Sequence, residues 1–299
     1  MKDIAVLITC HNRKEKTLSC LKYLFIAYDH YTHKNTKSID ISLKVYLTDD
    51  GCTDGTADSV RIQFTDREIH ILQGDGNLYW AGGMRLAWRK ALKGNYDFYL
   101  LLNDDTIVVE DVFEKLFEAH AYSIKTYEKD GIYSGCTSAG NNPQKITYGG
   151  DVWVNQFFAT KKRLSPNGEP QLVDMANANI LLISKSVIER IGIFCDKYTH
   201  GMADFDYTIQ ARKKGIPVLI ASDTCGICDK DHSFSYQEFA KLNYSKRKKY
   251  LNSPKGSAKN YLLFMKRNVI HRYPLVYFGY ISKLFFPKMY LWLSKKRYL

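Results

Sequence analysis

The sequence predicts an α/β protein built on a mainly parallel central sheet flanked by helices. Two observations carry this expectation. Short apolar runs of strand length alternate with segments of helical spacing, the pattern of βα units joined by right-handed crossovers. Each apolar run also ends in polar or glycine-rich chemistry: Cys10-His11-Asn12-Arg13, Asp49-Asp50-Gly51, Gly74-Asp75-Gly76-Asn77 and Asn103-Asp104-Asp105-Thr106. Ligands of open parallel sheets sit beyond the carboxyl ends of the strands, so four loops should converge on one edge.

The elements follow in order. Residues 4–9 read as a buried strand, and 14–31 as a helix with Leu18, Leu21, Leu24 and Phe25 on its apolar face. A second strand spans 41–48, a helix 56–64 and a third strand 68–72. The next helix runs over 83–92 and leads to a fourth strand at 98–102. The second half is less regular. Strands are expected at 132–137, 172–184 and 218–221, a turn at Tyr148-Gly149-Gly150, and helices at 185–191 and 204–214.

The fourth strand is the most informative. Its apolar run delivers Asp104 and Asp105 to the edge of a core, where unpaired carboxylates are costly. A hard divalent cation carrying a phosphate-bearing ligand is the usual partner at such a place. A plain polar turn is the competing reading.

At 299 residues, with 45% hydrophobic and 25% charged content, the chain has the composition of a soluble globular protein with a large core. The net charge of +12 is unevenly placed. Residues 239–299 hold fifteen Lys or Arg and no Asp or Glu, leaving 28 basic and 31 acidic residues before them. The expected boundary is therefore a catalytic domain at 1–238 and a basic, aromatic-rich helical extension at 239–299. Seven scattered Cys, an odd count in apolar surroundings, suggest reduced thiols in a cytoplasmic protein. Cys225-Gly226-Ile227-Cys228 has CxxC spacing but lacks a second pair for zinc. The chain opens directly into a strand, so no signal peptide is expected. Its longest apolar stretch, 274–293, is broken by Lys283, Pro287 and Lys288, so no bilayer-spanning helix is expected.

Five segments, LITCHNR, LTDDGCTDGT, GNLYWAGGM, LLLNDDT and HGMADFDYTIQARKKG, lie in that order between Ile4 and Gly215. Together they resemble inverting family 2 glycosyltransferases of the GT-A fold, in particular the rhamnosyltransferase-like group that builds bacterial cell-surface polysaccharides. The resemblance implies a nucleotide-diphosphate sugar donor, UDP- or dTDP-linked, and a glycan or lipid-linked glycan acceptor. It also implies Mg²⁺ or Mn²⁺ as cofactor. LLLNDDT stands where the family carries its metal-binding motif. Asp105 would bind the cation, Asp104 would support it, and Asn103, where the family more often has Asp, would face the ribose. Thr9, His11 and Arg13 would line the base pocket. Asp50 would accept a hydrogen bond from the pyrimidine, with an Asx-type turn as the other reading. Asn77 would border the donor. Gly82 and Gly83, opening a helix after Trp80, would let a sugar or diphosphate approach backbone N–H groups, or would serve packing.

Asp204 aligns with the family's catalytic base, which removes the acceptor hydroxyl's proton as oxygen attacks the anomeric carbon; helix capping is its alternative role. Asp206 is the second candidate, for structure or acceptor binding. Ala203 stands where the family often has an acid. His232 would be a further metal ligand, and Arg267 lies in an element resembling the family's Y…RN.

The tail interleaves aromatic residues with Lys and Arg. That mixture fits an interfacial segment on an anionic membrane, placing the protein on the inner face of the cytoplasmic membrane. A helical pair with a solvated charged face is the plainer reading. No RNA-binding motif is present, and nucleic acid is not expected as a partner. A sugar-nucleotide pyrophosphorylase would need a glycine-rich loop after the first strand, and CHNRKEKT has no glycine. A catalytically inactive GT-A-like domain, acting as a membrane- or RNA-associated interaction protein, is the alternative that Asn103 and Ala203 would support.

Overall fold

The computed structural model describes residues 1–34, 39–230, 236–254 and 256–295. Its first half follows the expected alternation: β1 (Lys2–Cys10), α1 (Lys14–His33), β2 (Ile41–Asp49), α2 (Thr56–Gln63), β3 (Ile69–Gln73), α3 (Tyr79–Ala91) and β4 (Phe98–Leu102). Then come β5 (Ile107–Val108), α4 (Val112–Tyr127), β6 (Ile132–Ala139), β7 (Asn142–Tyr148), β8 (Gly150–Asn155) and β9 (Thr160–Arg163). The expected strand at 172–184 is broken into β10 (Gln171–Leu172), β11 (Met175–Ala176) and β12 (Ile180–Ser184). Two pairings pull it apart, because β10 joins the main sheet while β11 joins the separate sheet of β8 and β9. Next are α5 (Lys185–Ile191), α6 (Ala203–Lys213) and β13 (Val218–Ile227). The tail is helical: α7 (Tyr236–Lys241), α8 (Tyr244–Asn252), α9 (Ala258–Asn268), α10 (Tyr273–Phe285) and α11 (Pro287–Lys295).

The main sheet runs β3-β2-β1-β4-β12-β6-β13-β10. β3, β2, β1 and β4 are mutually parallel. β12 is antiparallel to both neighbours, β4 and β6, and β13 is parallel to β6. Both faces of the sheet are covered, so β1 and β4 are apolar without alternation, as doubly covered strands must be. One face packs Leu21, Leu24, Phe113 and Phe117 of α1 and α4. The other packs Met84 and Trp88 of α3 and Phe205 and Ile209 of α6.

This topology fixes the functional edge. Parallel β1, β2, β3 and β4 end there, and so do β6 and β13. The reversed β12 begins there instead, with Ile180 opposite Leu102. Asn177, Ala178 and Asn179 are therefore delivered to the same edge as the loops of the parallel strands.

Candidate active site

Strand order reverses at β1: the chain steps from β1 to β2 on one side, and β4 lies on the other. The crevice between β1 and β4 is where such sheets hold ligands. Arg13 leaves the end of β1, and Asp104-Asp105 leave the end of β4. The guanidinium straddles both carboxylates, donating from one terminal nitrogen to Asp104 Oδ1 at 3.0 Å and from the other to Asp105 Oδ2 at 2.5 Å. Arg13 thus meets the acidic pair rather than the base pocket expected from the sequence. The planar fork suits two adjacent carboxylates, and Asp104, only 5% exposed, is costly to bury unpaired. Burial pushes the Asp104 carboxyl up to about 7, with Arg13 opposing and Asp105 adding to the rise.

Asp104 Oδ2 is buried with no hydrogen-bond partner. Asp105 Oδ1 receives the S–H of Cys228 at 3.6 Å, and Asn179 Nδ2 donates to that sulfur at 3.4 Å. Burial raises the Cys228 thiol to about 12, which keeps it a neutral donor. The hard carboxylate oxygens and the orphaned Oδ2 fit Mg²⁺ or Mn²⁺. Among the described residues no group of three or more His, Cys, Asp or Glu forms a metal cage. A cation here would rely on the phosphates of a bound donor, as Mg²⁺ sites commonly do. His232 lies outside the described residues.

Asp50 is buried at 3% exposure. Its Oδ1 accepts from the Gly76 and Leu78 N–H groups at 2.9 and 3.3 Å, and Oδ2 from Tyr79 N–H at 2.9 Å. It therefore caps the start of α3 from a different strand, at the helix end that favours negative charge. The Asx-type turn belongs to its neighbour, with Asp49 Oδ1 accepting from Cys52 N–H at 2.7 Å. His11 Nδ1 lies 2.6 Å from the Asp50 carbonyl oxygen. Asn77 is exposed on the loop that Asp50 holds.

Because Asp50 caps it, α3 begins at Tyr79, earlier than the sequence suggests. Gly82 and Gly83 are consequently inside the helix, and Gly82 N–H is spent on the Leu78 carbonyl at 3.1 Å. Gly83 sits on β1: a Cβ there would stand 2.0 Å from Thr9 Oγ1. Gly83 and the buried Thr9 are thus a packing contact between α3 and the sheet. Trp80, by contrast, points its indole N–H at Asn103 Oδ1, 2.7 Å away, and orients that amide.

Asp204 stands in the first turn of α6. Its Oδ2 accepts from Asn177 Nδ2 and from Ala178 N–H, both at 3.3 Å, and Oδ1 from Phe205 N–H at 2.9 Å. Burial raises its pKa against those three donors. The next residue along β12's approach, Asn179, accepts the Asn103 N–H at 3.1 Å. Three consecutive residues, 177–179, therefore join Asp204 to the Asn103–Asp105 loop. Asp206 points elsewhere. Its buried carboxylate takes Arg267 Nε at 3.0 and 3.1 Å and Asn268 Nδ2 at 2.7 Å, docking α9 on α6. Sequence reasoning missed Asn177, Asn179 and the contacts of Trp80 and Cys228; the GNLYWAGGM segment marked Trp80 and the CxxC spacing marked Cys228, but neither showed its partner.

No protein-family model and no curated protein matches the chain. Solved structures do. TarS 1-349 of S. aureus in complex with UDP matches at 14% identity and a TM-score of 0.53, over 91% of this chain and 72% of that one. The same fragment in complex with UDP-GlcNAc matches at 12% and 0.53, over 95% and 82%. The mannosyltransferase PcManGT of Pyrobaculum calidifontis, in complex with GDP-Man and Mn²⁺, matches at 12% and 0.52, over 98% and 75%. At such identities the likeness is one of architecture, and it agrees with the strand order and the converging loops: the chain has the GT-A fold of glycosyltransferases.

Proposed function

We propose that the chain is an inverting glycosyltransferase that moves a sugar from a nucleotide-diphosphate donor to a hydroxyl of a cell-surface glycan. The observation that carries this reading is the 177–179 segment, which joins a half-buried carboxylate, Asp204, to the acidic pair at the crevice. Asp204 removes the acceptor hydroxyl's proton as its oxygen attacks the anomeric carbon. Its raised pKa strengthens it as a base, and the Asn177 and Ala178 donors fix its orientation. Asn103, aimed by Trp80, binds the donor ribose. Asp50 shapes the loop bearing Asn77 and, with one acceptor position left on its carboxylate, reads a uridine or thymidine imide. Asp104 and Asp105 would hold Mg²⁺ or Mn²⁺, which when bound supplies neutralisation of charge on the departing diphosphate. The Mn²⁺ and sugar nucleotide in the PcManGT structure support that assignment.

The 239–299 extension, on this reading, seats the enzyme on the anionic inner face of the cytoplasmic membrane, beside a lipid-linked acceptor. Phe278, Phe285, Phe286 and Trp292 of the tail are exposed, as are Phe157 and Phe158 at the tip of the β8–β9 hairpin. The hairpin is tied to the tail by His271, which stacks on Phe157 at 4.9 Å and bonds its carbonyl oxygen at 2.8 Å. Basic side chains near an anionic surface contribute about 1 kcal/mol each. Among the described residues no helix is long and apolar enough to cross a membrane.

Donor hydrolysis tests the reading. A panel of UDP-, dTDP- and GDP-sugars is incubated with Mn²⁺ and either wild type or Asp105→Ala. Cation-dependent hydrolysis of one sugar nucleotide, lost in the variant, is the expected result. A folded wild type inert to the whole panel would favour a degenerate, non-catalytic domain instead.

A further inference from the structure

Between the tail helices and the start of α6 lies a cavity of about 800 Å³. Leu251 of α8, Leu262 and Met265 of α9 and Val276 of α10 supply its apolar walls, and it reaches Met202, two residues before Asp204. The cavity is partly open to solvent, and its volume falls in the range of ligand-binding clefts, about 300–1,000 Å³.

We propose that this cavity binds the hydrocarbon chain of the acceptor, a lipid phosphate or diphosphate that carries the growing glycan. The inference rests on the transferase reading and gives its acceptor a site. Charge supports the occupant. Among the described residues Arg272 and Lys283 are the cations on the lining, and no Asp or Glu lines it. Lys283 is held between the rings of Tyr236 and Tyr290, 5.2 and 4.9 Å from their centroids, and Arg272 lies 6.0 Å over Phe158. Two cations at an apolar space with no carboxylate suit an anionic head on an apolar chain. Phe278 lines the cavity and is 64% exposed, so the lining continues into the aromatic surface proposed to meet the membrane. Chain and head would then enter from the bilayer side, and the Met202 end leads to the base.

The test uses full-length protein and a fluorescently labelled farnesyl diphosphate. Gly279 lines the cavity, and a Cβ added there meets only Tyr290, at 4.0 Å. A Cβ at this position is thus unobstructed, and Gly279→Phe would direct a ring into the cavity. Wild type should bind the probe, with farnesol and inorganic pyrophosphate each competing more weakly than unlabelled farnesyl diphosphate. Gly279→Phe should bind at least tenfold more weakly while keeping its melting temperature and its donor hydrolysis. Arg272→Gln should weaken the diphosphate but not farnesol. If Gly279→Phe does not fold, Leu262→Trp replaces it. No probe binding by wild type, or equal binding by a folded cavity-filling variant, overturns the proposal. Competition by pyrophosphate alone, matching the full probe, also overturns it, since the chain would then contribute nothing. Absent donor hydrolysis in wild type defeats the transferase reading instead, and probe binding would still establish a lipid site.

Discussion

Replacing Arg13 with Gln removes the guanidinium that bridges Asp104 and Asp105. Asp104 keeps its burial and stands beside a second carboxylate. Taking one partner from a buried pair costs about 3–5 kcal/mol. The Arg13 side chain is 34% exposed, so solvent screening reduces that to about 2 kcal/mol. For a protein of this size the loss corresponds to a melting temperature lower by about 3 °C. Manganese should reverse the order of effects. A cation at a hundred times its dissociation constant returns about 2.7 kcal/mol. In wild type it must compete with the guanidinium for the same oxygens, whereas in the variant it does not. The variant should therefore bind Mn²⁺ more tightly by roughly tenfold to thirtyfold, the equivalent of the lost 2 kcal/mol. Thermal melts in chelator, and in Mn²⁺ with a nucleoside diphosphate to supply the phosphates, read both effects. Wild type and variant melting together in chelator would refute the clamp. Equal Mn²⁺ shifts would refute the competition, and with it the assignment of the cation to this carboxylate pair.

Three other expectations follow from the same edge. Gly83→Ala places a methyl 2.0 Å from Thr9 Oγ1 and 2.8 Å from its Cβ, an overpacking worth about 2–3 kcal/mol in urea denaturation; Thr9→Ala should recover part of it, and a neutral Gly83→Ala would disprove the packing role. Arg267→Met strips the main cation from Asp206 and should cost about 2 kcal/mol after allowing for Arg267's 37% exposure, with the donor KM unchanged; a raised KM at full stability would make Arg267 a donor ligand. As the proposed base, Asp204 would work only when ionised, and burial raises its pKa. Transfer should thus fall with decreasing pH at values above the ordinary aspartate range, about 3.9, and Asp204→Asn should lose about 10²–10⁴-fold in kcat; retained turnover in that variant would reassign the base.

Much of this edge was legible in the sequence because its signals are local. A run such as Phe98–Leu102 states its own burial, and the polar residues that follow must surface at the strand's end. The reading failed where tertiary contacts decide. No nearby residue marks the start of α3, because its cap, Asp50, comes from β2, and so Gly82 and Gly83 were misplaced relative to the helix end. The 172–184 run is apolar apart from Asp174, Asn177, Asn179 and Ser184, yet two sheets compete for it. α4 went unread, although Phe113, Leu116 and Phe117 share a buried face. Arg13 has the same composition signal whether it lines a base pocket or meets a carboxylate 91 residues away. Asn177 and Asn179 carry no motif; their importance comes only from the direction in which β12 enters the sheet.

That direction has a mechanistic consequence. A sugar transferase must place a base and a diphosphate site at a fixed separation, and a small displacement of either costs rate steeply. On the proposed reading one segment holds both: Asn103 N–H is bonded to Asn179, and Asp204 to Asn177 and Ala178, so the short connection between β11 and β12 spaces them. Asp206, two residues along the same helix and on a different side of it, is fastened to Arg267 and Asn268 of α9. The rotation of α6, and with it the aim of Asp204, is therefore set from two directions: by β12 within the sheet and by α9 in the basic tail. The tail's contact with α6 joins the buried Asp206 carboxylate to a partly exposed guanidinium and a buried amide, and such charge-assisted bonds are stronger than a surface ion pair. On the proposed reading, a mutation in α9 that loosens this contact should slow transfer more than it weakens donor binding, because it would move Asp204 while leaving the Asn103–Asp105 loop in place.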